Sequence, residues 1–477
     1  MGIPSYFSYV LKNHTKIIKR MHEIKCNQLY IDANSLIYDV VKETTENIPE
    51  RVYVKILDLI KKLNPEFTYV AFDGVAPMAK MKQQKQRRYK SWITKQIIAS
   101  NSWNTNAITP GTTFMNELDD YLTNKFKPNK QILFSGTNEV GEGEHKITHY
   151  IRSHPFKENQ MIYGLDADLI MLGLLHLKHN PNIYLYRETC HFSYLKHINP
   201  NQDYVFSMEE MSKQIDFPIE NYCFLCFLFG NDFMPHIPSL NIRNNGIPYL
   251  LEIIKETKSK TPLVTGTKIN WNEFKNLCIK LSLTEEERIQ ENIKWKKNLR
   301  VYPLTQEEEL IFLPIKDRKR EDYISLHLDK YYPFLFNQTE EEPCKNYLQM
   351  LEWTWAYYNG ECKDYYMAYE FNHAPLFKSI INYIPCFDED LVKINTEPPP
   401  LPIVQLMYVL PYADFNLIPT NMDKVIKKFP NLTETNFPIH YDFCKFFWES
   451  HVDFNYINLK DLNVYYKNKH QINDAIE

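Results

Sequence analysis

Seven carboxylates of this chain could do chemistry, and four of them crowd into one stretch. In SGTNEVGEGEHKITHYIRSHPFKENQMIYGLDADLIMLGL, from Ser135 to Leu174, Glu142 and Glu144 stand one residue apart on a Gly-rich turn. Asp166 and Asp168 stand one residue apart at the end of an apolar run. Carboxylates held this close repel one another unless a cation lies between them, and the cation that oxygen ligands favour is a hard divalent metal. Asp32 closes NQLYID, Asp73 closes FTYVAFD, and Asp232 follows the apolar run that ends at Gly230. Taken singly each acid has an ordinary reading; Asp232, for one, could close a turn on its own backbone. Taken together they could ligate two divalent ions about 4 Å apart, one activating a water and the other stabilising the leaving 3′-oxygen of a phosphodiester. No Cys or His cluster competes for a softer metal, so two Mg²⁺ or Mn²⁺ ions are expected rather than Zn²⁺.

A second constellation follows Asp73 in FDGVAPMAKMKQQKQRRYK. From Gly74 to Asn116 there is no acidic residue, while Lys80, Lys82, Lys85, Arg87, Arg88, Lys90 and Lys95 are all present. The whole chain carries a net charge of −4, so a block of one sign inside it is the footprint of a polyanion-binding face. A merely solvated helix mixes its signs. Pro77 suits a helix start; Lys80, Gln84 and Arg87 then share one face, with Arg88 adjoining. A point charge, an amide and guanidinium forks suit a terminal phosphate. A terminal monophosphate held at a fixed distance from two metals describes an exonuclease that counts one nucleotide inward.

The elements that must position these residues read as α/β. Short apolar runs at Leu29–Ile31, FTYVAFDG, QILFSG and QMIYGLDADL read as strands, with a helical pattern through Val52–Leu63 between the first two. Strands alternating with helices argue for a mostly parallel sheet, and ligands collect at the carboxyl ends of such strands. YCFLCFLFG reads as a buried helix ending at Gly230. Residues 255–330, with Thr284–Arg288 and Lys316–Asp322 within them, read as solvated helices or a connector. Tyr347–Tyr369 is a helix pattern broken at Asn359-Gly360, and the four prolines in Thr396–Pro402 form a rigid connector. The expected organisation is a nuclease domain at 1–250, a charged connector at 251–330 and a C-terminal segment of the catalytic core at 331–477. The 33 Tyr are read chiefly as half-buried packing residues. Nine Cys without framework spacing, including the pair Cys223 and Cys226 in an apolar run, indicate reduced thiols and a cytoplasmic location, with the nucleus as the alternative. No stretch is long and apolar enough for a membrane helix.

GEGEHK, YGLDADLIMLGL, FDGVAPMAKMKQQ and GNDFMPHIPSL together resemble the XRN family of 5′→3′ exoribonucleases, as do MGIPSYF, ITPGTTFM and PIVQLMYVLP. The matches run in order from Met1 to about Leu462. The resemblance implies a PIN/flap-nuclease-like α/β domain wrapped by the segment that follows it. It also implies Mg²⁺-dependent degradation of single-stranded RNA that bears a 5′-monophosphate, releasing nucleoside 5′-monophosphates. All seven family acids are matched by Asp32, Asp73, Glu142, Glu144, Asp166, Asp168 and Asp232, and the 5′-phosphate pocket by Lys80, Gln84, Arg87 and Arg88. Two positions depart from the pattern. Where the family stacks the first base between His and Trp, this chain has Tyr38 and Tyr365, which keep a π face but lose the titratable imidazole. The chain reads as a minimal catalytic core, a monomer, of a kind that would suit a virus or a compact genome. The competing readings are a flap-type structure-specific DNA nuclease with the same acidic architecture, and a non-catalytic RNA-binding scaffold, which would have lost acids.

Overall fold

In the computed structural model, alternate residues of the central strands turn to opposite sides of one sheet, as the two-residue period of a strand dictates. Leu29, Ile31, Val70, Met161 and Tyr163 pack into one apolar layer, and Tyr30, Tyr69, Ala71 and Ile162 into the other. Because both faces are covered, these strands read as continuous apolar runs. The structure describes residues 2–98, 103–164, 166–192, 195, 198–257, 261–299, 331–387, 389–442, 444 and 446–474.

The sheet comprises β1 (Ile18–Arg20), β2 (Gln28–Asp32), β3 (Phe67–Ala71), β4 (Ile132–Ser135), β5 (Gln160–Tyr163), β6 (Ile183–Tyr186) and β7 (Tyr204–Ser207), in the order β1-β7-β6-β5-β2-β3-β4. Strands β2 to β6 run parallel; β7 is antiparallel to β6, and β1 to β7. The expected mostly parallel sheet flanked by helices is present. The three strands beyond the four expected, β1, β6 and β7, are three or four residues long and, unlike the equally short β4 and β5, are not followed at once by a glycine.

Seven helices frame the sheet and the site: α1 (Tyr6–Asn13), α2 (Asn34–Glu43), α3 (Ile48–Leu63), α4 (Met78–Ile98), α5 (Thr113–Phe126), α6 (Gly143–Ser153) and α7 (Asp168–His176). Asp32 is the last residue of β2, whereas Asp73 lies two residues past β3 and Asp166 in the loop after β5. Asp168 does not end a strand as expected; it opens α7. A carboxylate there complements the positive end of the helix dipole while still facing the strand ends.

The basic helix α4 is not an open face. The helix Pro402–Val409 packs on it, and Val75 and Met81 share an apolar core with Val404, Met407, Leu410 and Leu462. The Gln86 amide donates to the Val452 carbonyl (2.7 Å) and accepts from its N–H (2.9 Å). Lys90 donates to the carbonyls of Trp448 and Ser450, both at 2.8 Å. Lys80, Lys82 and Arg88 are buried, and burial draws the ammonium groups of Lys85 and Lys90 down to about 8. Thr284–Arg288, expected in a solvated helix or connector, does open a helix, Glu285–Asn298, with Glu286 and Glu287 exposed, but Glu285 departs from that reading. Glu285 is buried and accepts from the N–H groups of Phe377 (2.7 Å) and Lys378 (3.0 Å), and burial lifts its carboxyl to about 7. Lys316–Asp322, read the same way, lies outside the described residues. Cys223 and Cys226 are free and buried. Among the described residues, no helix is long and apolar enough to cross a membrane.

Candidate metal centre and phosphate pocket

The seven acids reach one place from five separate segments. Gly143, first residue of α6, donates its N–H to Asp73 Oδ1 (2.7 Å), and a Cβ there would come within 2.9 Å of Asp32 Oδ1. Asn34, at the start of α2, fixes Asp73 from the other side: its Nδ2 donates to Oδ2 (2.7 Å) and its Oδ1 accepts the Asp73 N–H (3.1 Å). Glu142 caps α6 and Glu144 lies in its first turn. Lys80, from the first turn of α4, projects into the acids, its Nζ 2.5 Å from Glu142 Oε2 and 2.7 Å from Asp232 Oδ2.

Two contacts here have no local signature in the sequence. Tyr357, in the helix Glu341–Tyr358, donates its hydroxyl to Glu142 Oε1 at 3.1 Å. Its ring lies on Trp353 (4.9 Å between centroids, 17° between planes) and 3.9 Å from the His145 ring. Gly2 donates its N–H to Asp232 Oδ1 (3.3 Å) with φ at +63°, and a Cβ on it would fall 1.9 Å from Asp168 Oδ1. MGIPSYF had flagged this start by resemblance alone; only the approach to Asp168 explains why it must be glycine.

The electrostatics follow from the crowding. Burial, then Asp73 and Asp166, lifts the Asp32 carboxyl well above its ordinary value. Burial and Asp168 do the same to Glu144, and burial with Asp232 pushes Asp168 up to about 7. Burial alone would lower Lys80, but Asp232, Glu142 and Glu144 hold its ammonium well above the ordinary range. Burial would raise the Asp232 carboxyl, but Lys80, through its charge and its hydrogen bond, acts together with further positive charge including that of Arg87 to keep it low.

Whether these residues fit divalent ions can be read from what is left over. Glu144 Oε2 and Asp168 Oδ1 are buried without a hydrogen-bond partner, an arrangement that costs free energy unless something cationic accepts them. Among the described residues no three acidic, His or Cys side chains already form a finished cage; Lys80 stands between Glu142 and Asp232 instead. The donor set is oxygen only, which suits Mg²⁺ or Mn²⁺.

On α4 the expected phosphate residues divide. Arg88 is buried with Nη1 unpartnered, and burial, then the neighbouring Arg87, draws its guanidinium down to about 10. Gln84 is buried with Oε1 unpartnered, in an amide whose two ends can exchange places. Arg87 is exposed. Lys80 is spent on the acids. Tyr38 is half-buried on α2 and is among the groups that act on Arg88. Tyr365 is also half-buried; its carbonyl accepts the Met78 N–H at the start of α4 (2.8 Å), and burial, then Cys362 and Glu142, push its hydroxyl up. Neither ring stacks on another ring among the described residues.

A family model described as the XRN 5′-3′ exonuclease N-terminus matches residues 1–189, and one described as the Xrn1 helical domain matches residues 212–310. The 5′-3′ exoribonuclease 1 of Saccharomyces cerevisiae is 32% identical over 54% of this chain and 21% of its own length. The human protein of that name is 26% identical over 88% of this chain and 31% of its own, and the 5′-3′ exoribonuclease 2 of Candida albicans 28% identical over 60% and 40%. The chain therefore spans well under half the length of these curated relatives. Among solved structures, the catalytic core of Rad2 with DNA substrate is 13% identical at a TM-score of 0.38, covering 65% of this chain and 85% of that one. The bacteriophage T5 D15 flap endonuclease with DNA and metal ions is 12% identical at a TM-score of 0.32, covering 56% and 88%. Likenesses that distant say nothing about substrate.

Proposed function

The chain belongs to the XRN family, and on that premise we propose that it is a 5′→3′ exoribonuclease that hydrolyses single-stranded RNA with a 5′-monophosphate to nucleoside 5′-monophosphates, acting as a cytoplasmic monomer. The observation that carries the reading is Arg88: a buried guanidinium with an unpartnered nitrogen, one helical turn from the Gln84 amide, whose Oε1 is unpartnered, and two from a Lys80 embedded in acids. A buried cation with donor capacity to spare is costly unless an anion completes it. The anion that suits a guanidinium beside an amide is a phosphate monoester. A pocket enclosed by Arg88 and Gln84 would exclude a cap or triphosphate by size. Tyr38 and Tyr365 would hold the first base, at about 1–3 kcal/mol per stacked base.

Asp32, Asp73, Glu142, Glu144, Asp166, Asp168 and Asp232 would hold two Mg²⁺ ions, which supply an activated water and stabilise the departing 3′-oxygen. The chain's own contribution is placement. Gly143 and Asn34 fix Asp73, Tyr357 fixes Glu142, and Gly2 brings a backbone N–H to Asp232. Residues 1–250 would form the nuclease domain and 331–477 the segment that completes it around α4, joined through 251–330. The test compares RNA with 5′-monophosphate, hydroxyl and triphosphate ends, plus a flap DNA, in Mg²⁺, for wild type and Asp166→Ala/Asp168→Ala. Mononucleotide release from the monophosphate end alone, abolished in the variant, is expected. Equal decay of the three RNA ends, preference for the flap, or an unaffected variant would each overturn the reading.

A further inference from the structure

The helix Pro402–Val409, PIVQLMYV, buries every residue from Val404 to Val409, and one amide sits inside that apolar run. Gln405 is 0% exposed, at a position where Leu or Met would fill the space with no polar group to satisfy. Its Oε1 accepts the N–H of Ala76 at 2.9 Å, across 329 positions of chain. An N–H partner settles which end of the amide is the oxygen. The other end, Nε2, is buried with no hydrogen-bond partner. An orphaned donor costs stability, so stability does not account for a glutamine here. What its one bond holds does.

Ala76 lies in the stretch that joins the two halves of the site. Asp73, one of the seven acids, precedes it by three residues, and α4, with Lys80, Gln84 and Arg88, begins two residues after it. Gly74 to Pro77 are buried but belong to no helix or strand, so the stretch does not fix its own path. Its bonds come from outside. The Asp73 N–H goes to Asn34 (3.1 Å). Gly141 accepts from the Gly74 N–H (2.8 Å) and donates to the Val75 carbonyl (2.9 Å). These bonds tie the Asp73 end to α2 and to the turn before α6. The other end is tied to the C-terminal segment: Ala76 by Gln405, and Met78 by the Tyr365 carbonyl (2.8 Å). Gln405 stands at the joint between the two. At 1.5 Å per residue, Gln84 lies about 9 Å and Arg88 about 15 Å along α4 from Met78. A helix carries a shift at its start to both.

We propose that Gln405 is a positioning residue that fixes the spacing between the metal centre and the phosphate pocket, and through that spacing the preference for a 5′-monophosphate end. The proposal rests on the exoribonuclease reading above. Gln405 acts through the backbone: without it Asp73 keeps Asn34 and Gly143 as partners, and Gln84 and Arg88 keep their places on α4. What it governs is whether a phosphate in the pocket and the scissile bond at the metals are engaged at once. Reactivity of that kind is steep in distance, a misplacement of about 1 Å costing up to about 100-fold.

The test uses the full chain in Mg²⁺ and compares kcat and KM on RNA with 5′-monophosphate and 5′-hydroxyl ends. Gln405→Met keeps the shape and removes the acceptor together with the orphaned donor, so its melting temperature should stay near that of wild type. Its preference for the monophosphate end should narrow about tenfold or more, through kcat rather than KM, while calorimetric Mn²⁺ affinity stays within twofold. Gln405→Glu, with an acceptor still in reach of Ala76, should keep most of the wild-type preference. Gln86→Met cuts the bonds to Val452, which also link α4 to the C-terminal segment but from within the helix, and should leave the preference unchanged. Should Gln405→Met melt far below wild type, Gln405→Asn, one methylene group short of Ala76, takes its place with the same expectation. An unchanged preference in the Met variant, an equal loss of rate on both ends, or weakened Mn²⁺ binding would each overturn the proposal. So would a narrowing as large in Gln405→Glu or in Gln86→Met. If wild type itself shows no preference for the monophosphate end, it is the exoribonuclease reading that fails, whatever the variants do.

Discussion

Replacing Tyr357 with Phe deletes one oxygen from the metal centre and leaves its packing in place. The ring is 5% exposed and held between Trp353 and His145, so the phenyl group keeps its seat and no cavity opens. What goes is the hydroxyl that donates to Glu142 Oε1. Glu142 then keeps Lys80 on its other oxygen, and burial already pushes its carboxyl up; without a donor on Oε1 it rises further and turns into a poorer ligand. A buried hydrogen bond to a charged group is worth about 1.5–3 kcal/mol. Loss of a partner that orients a metal ligand typically costs roughly 10–100-fold in metal affinity, and the two figures agree. Titration of the metal-free protein with Mn²⁺, followed calorimetrically, should therefore show an affinity weakened about tenfold or more. The Mg²⁺ concentration for half-maximal activity should rise in parallel, and activity at saturating Mg²⁺ should return to within a few-fold of wild type. A melting temperature near that of wild type shows that the variant is folded. A folded variant with unchanged Mn²⁺ affinity would refute the assignment of Tyr357 as a positioning residue.

Three further outcomes are expected. Gly2→Ala puts a methyl group where only 1.9 Å separates it from Asp168 Oδ1, at a positive φ, so activity should fall by at least two orders of magnitude while the melting temperature hardly moves; near-normal activity would contradict the close approach. Arg88→Met removes a buried, under-paired cation, so thermal stability should hold or rise while kcat/KM on 5′-monophosphate RNA drops, and inorganic phosphate should stabilise wild type but not the variant; a clear fall in stability would show that Arg88 is structural. His176 accepts from Arg152 at Nε2 (2.8 Å) and donates from Nδ1 to the Leu172 carbonyl (2.6 Å), and burial with Arg152 holds its pKa at about 3. The unfolded chain, with the ordinary value near 6.5, then binds the extra proton first. This stability is present above about pH 6.5 and lost as pH falls towards 3, by up to about 1.4 kcal/mol per pH unit. Chemical denaturation between pH 7 and 4.5 should show a shallower loss for His176→Gln than for wild type.

The sheet was legible because its central strands are apolar on both faces and each is followed at once by an acid. Gly74 and Gly230 marked two of the boundaries. Strands β6 and β7 were not, since IYLY and YVFS, no shorter than β4 and β5, lack the glycine that directly follows each of those. The acids were legible as a set because nothing but a cation explains Asp166 and Asp168 beside Glu142 and Glu144. Their partners were not. Tyr357 lies 215 positions from Glu142 within a run of aromatics, any of which might equally have packed. The wrapping of α4 was hidden for the same reason: Lys85 and Lys90 are solvated by the carbonyl groups of Tyr408, Trp448 and Ser450, and a carbonyl leaves no trace in a sequence. Glu285 looked solvated because its neighbours are; only its capping of residues 377 and 378 shows otherwise.

On the reading proposed above, the metal centre and the phosphate pocket would share one cation and act as a single device. The Lys80 ammonium lies between Glu142 and Asp232, while Arg88, two turns along the same face, has no anion at hydrogen-bond distance from its Nη1. A divalent ion held by those carboxylates would compete with Lys80 for the same oxygens. The displaced ammonium would then be a second buried cation on the face that already lacks an anion, and a phosphate there would satisfy both. Each ligand would thus remove the penalty that opposes the other, and linkage requires the effect to be mutual: whatever factor the metal adds to phosphate affinity, phosphate adds to metal affinity. Lys80→Met would uncouple them. It should leave phosphate binding weak and indifferent to Mn²⁺, whereas in wild type Mn²⁺ should tighten it by the same factor by which phosphate tightens Mn²⁺.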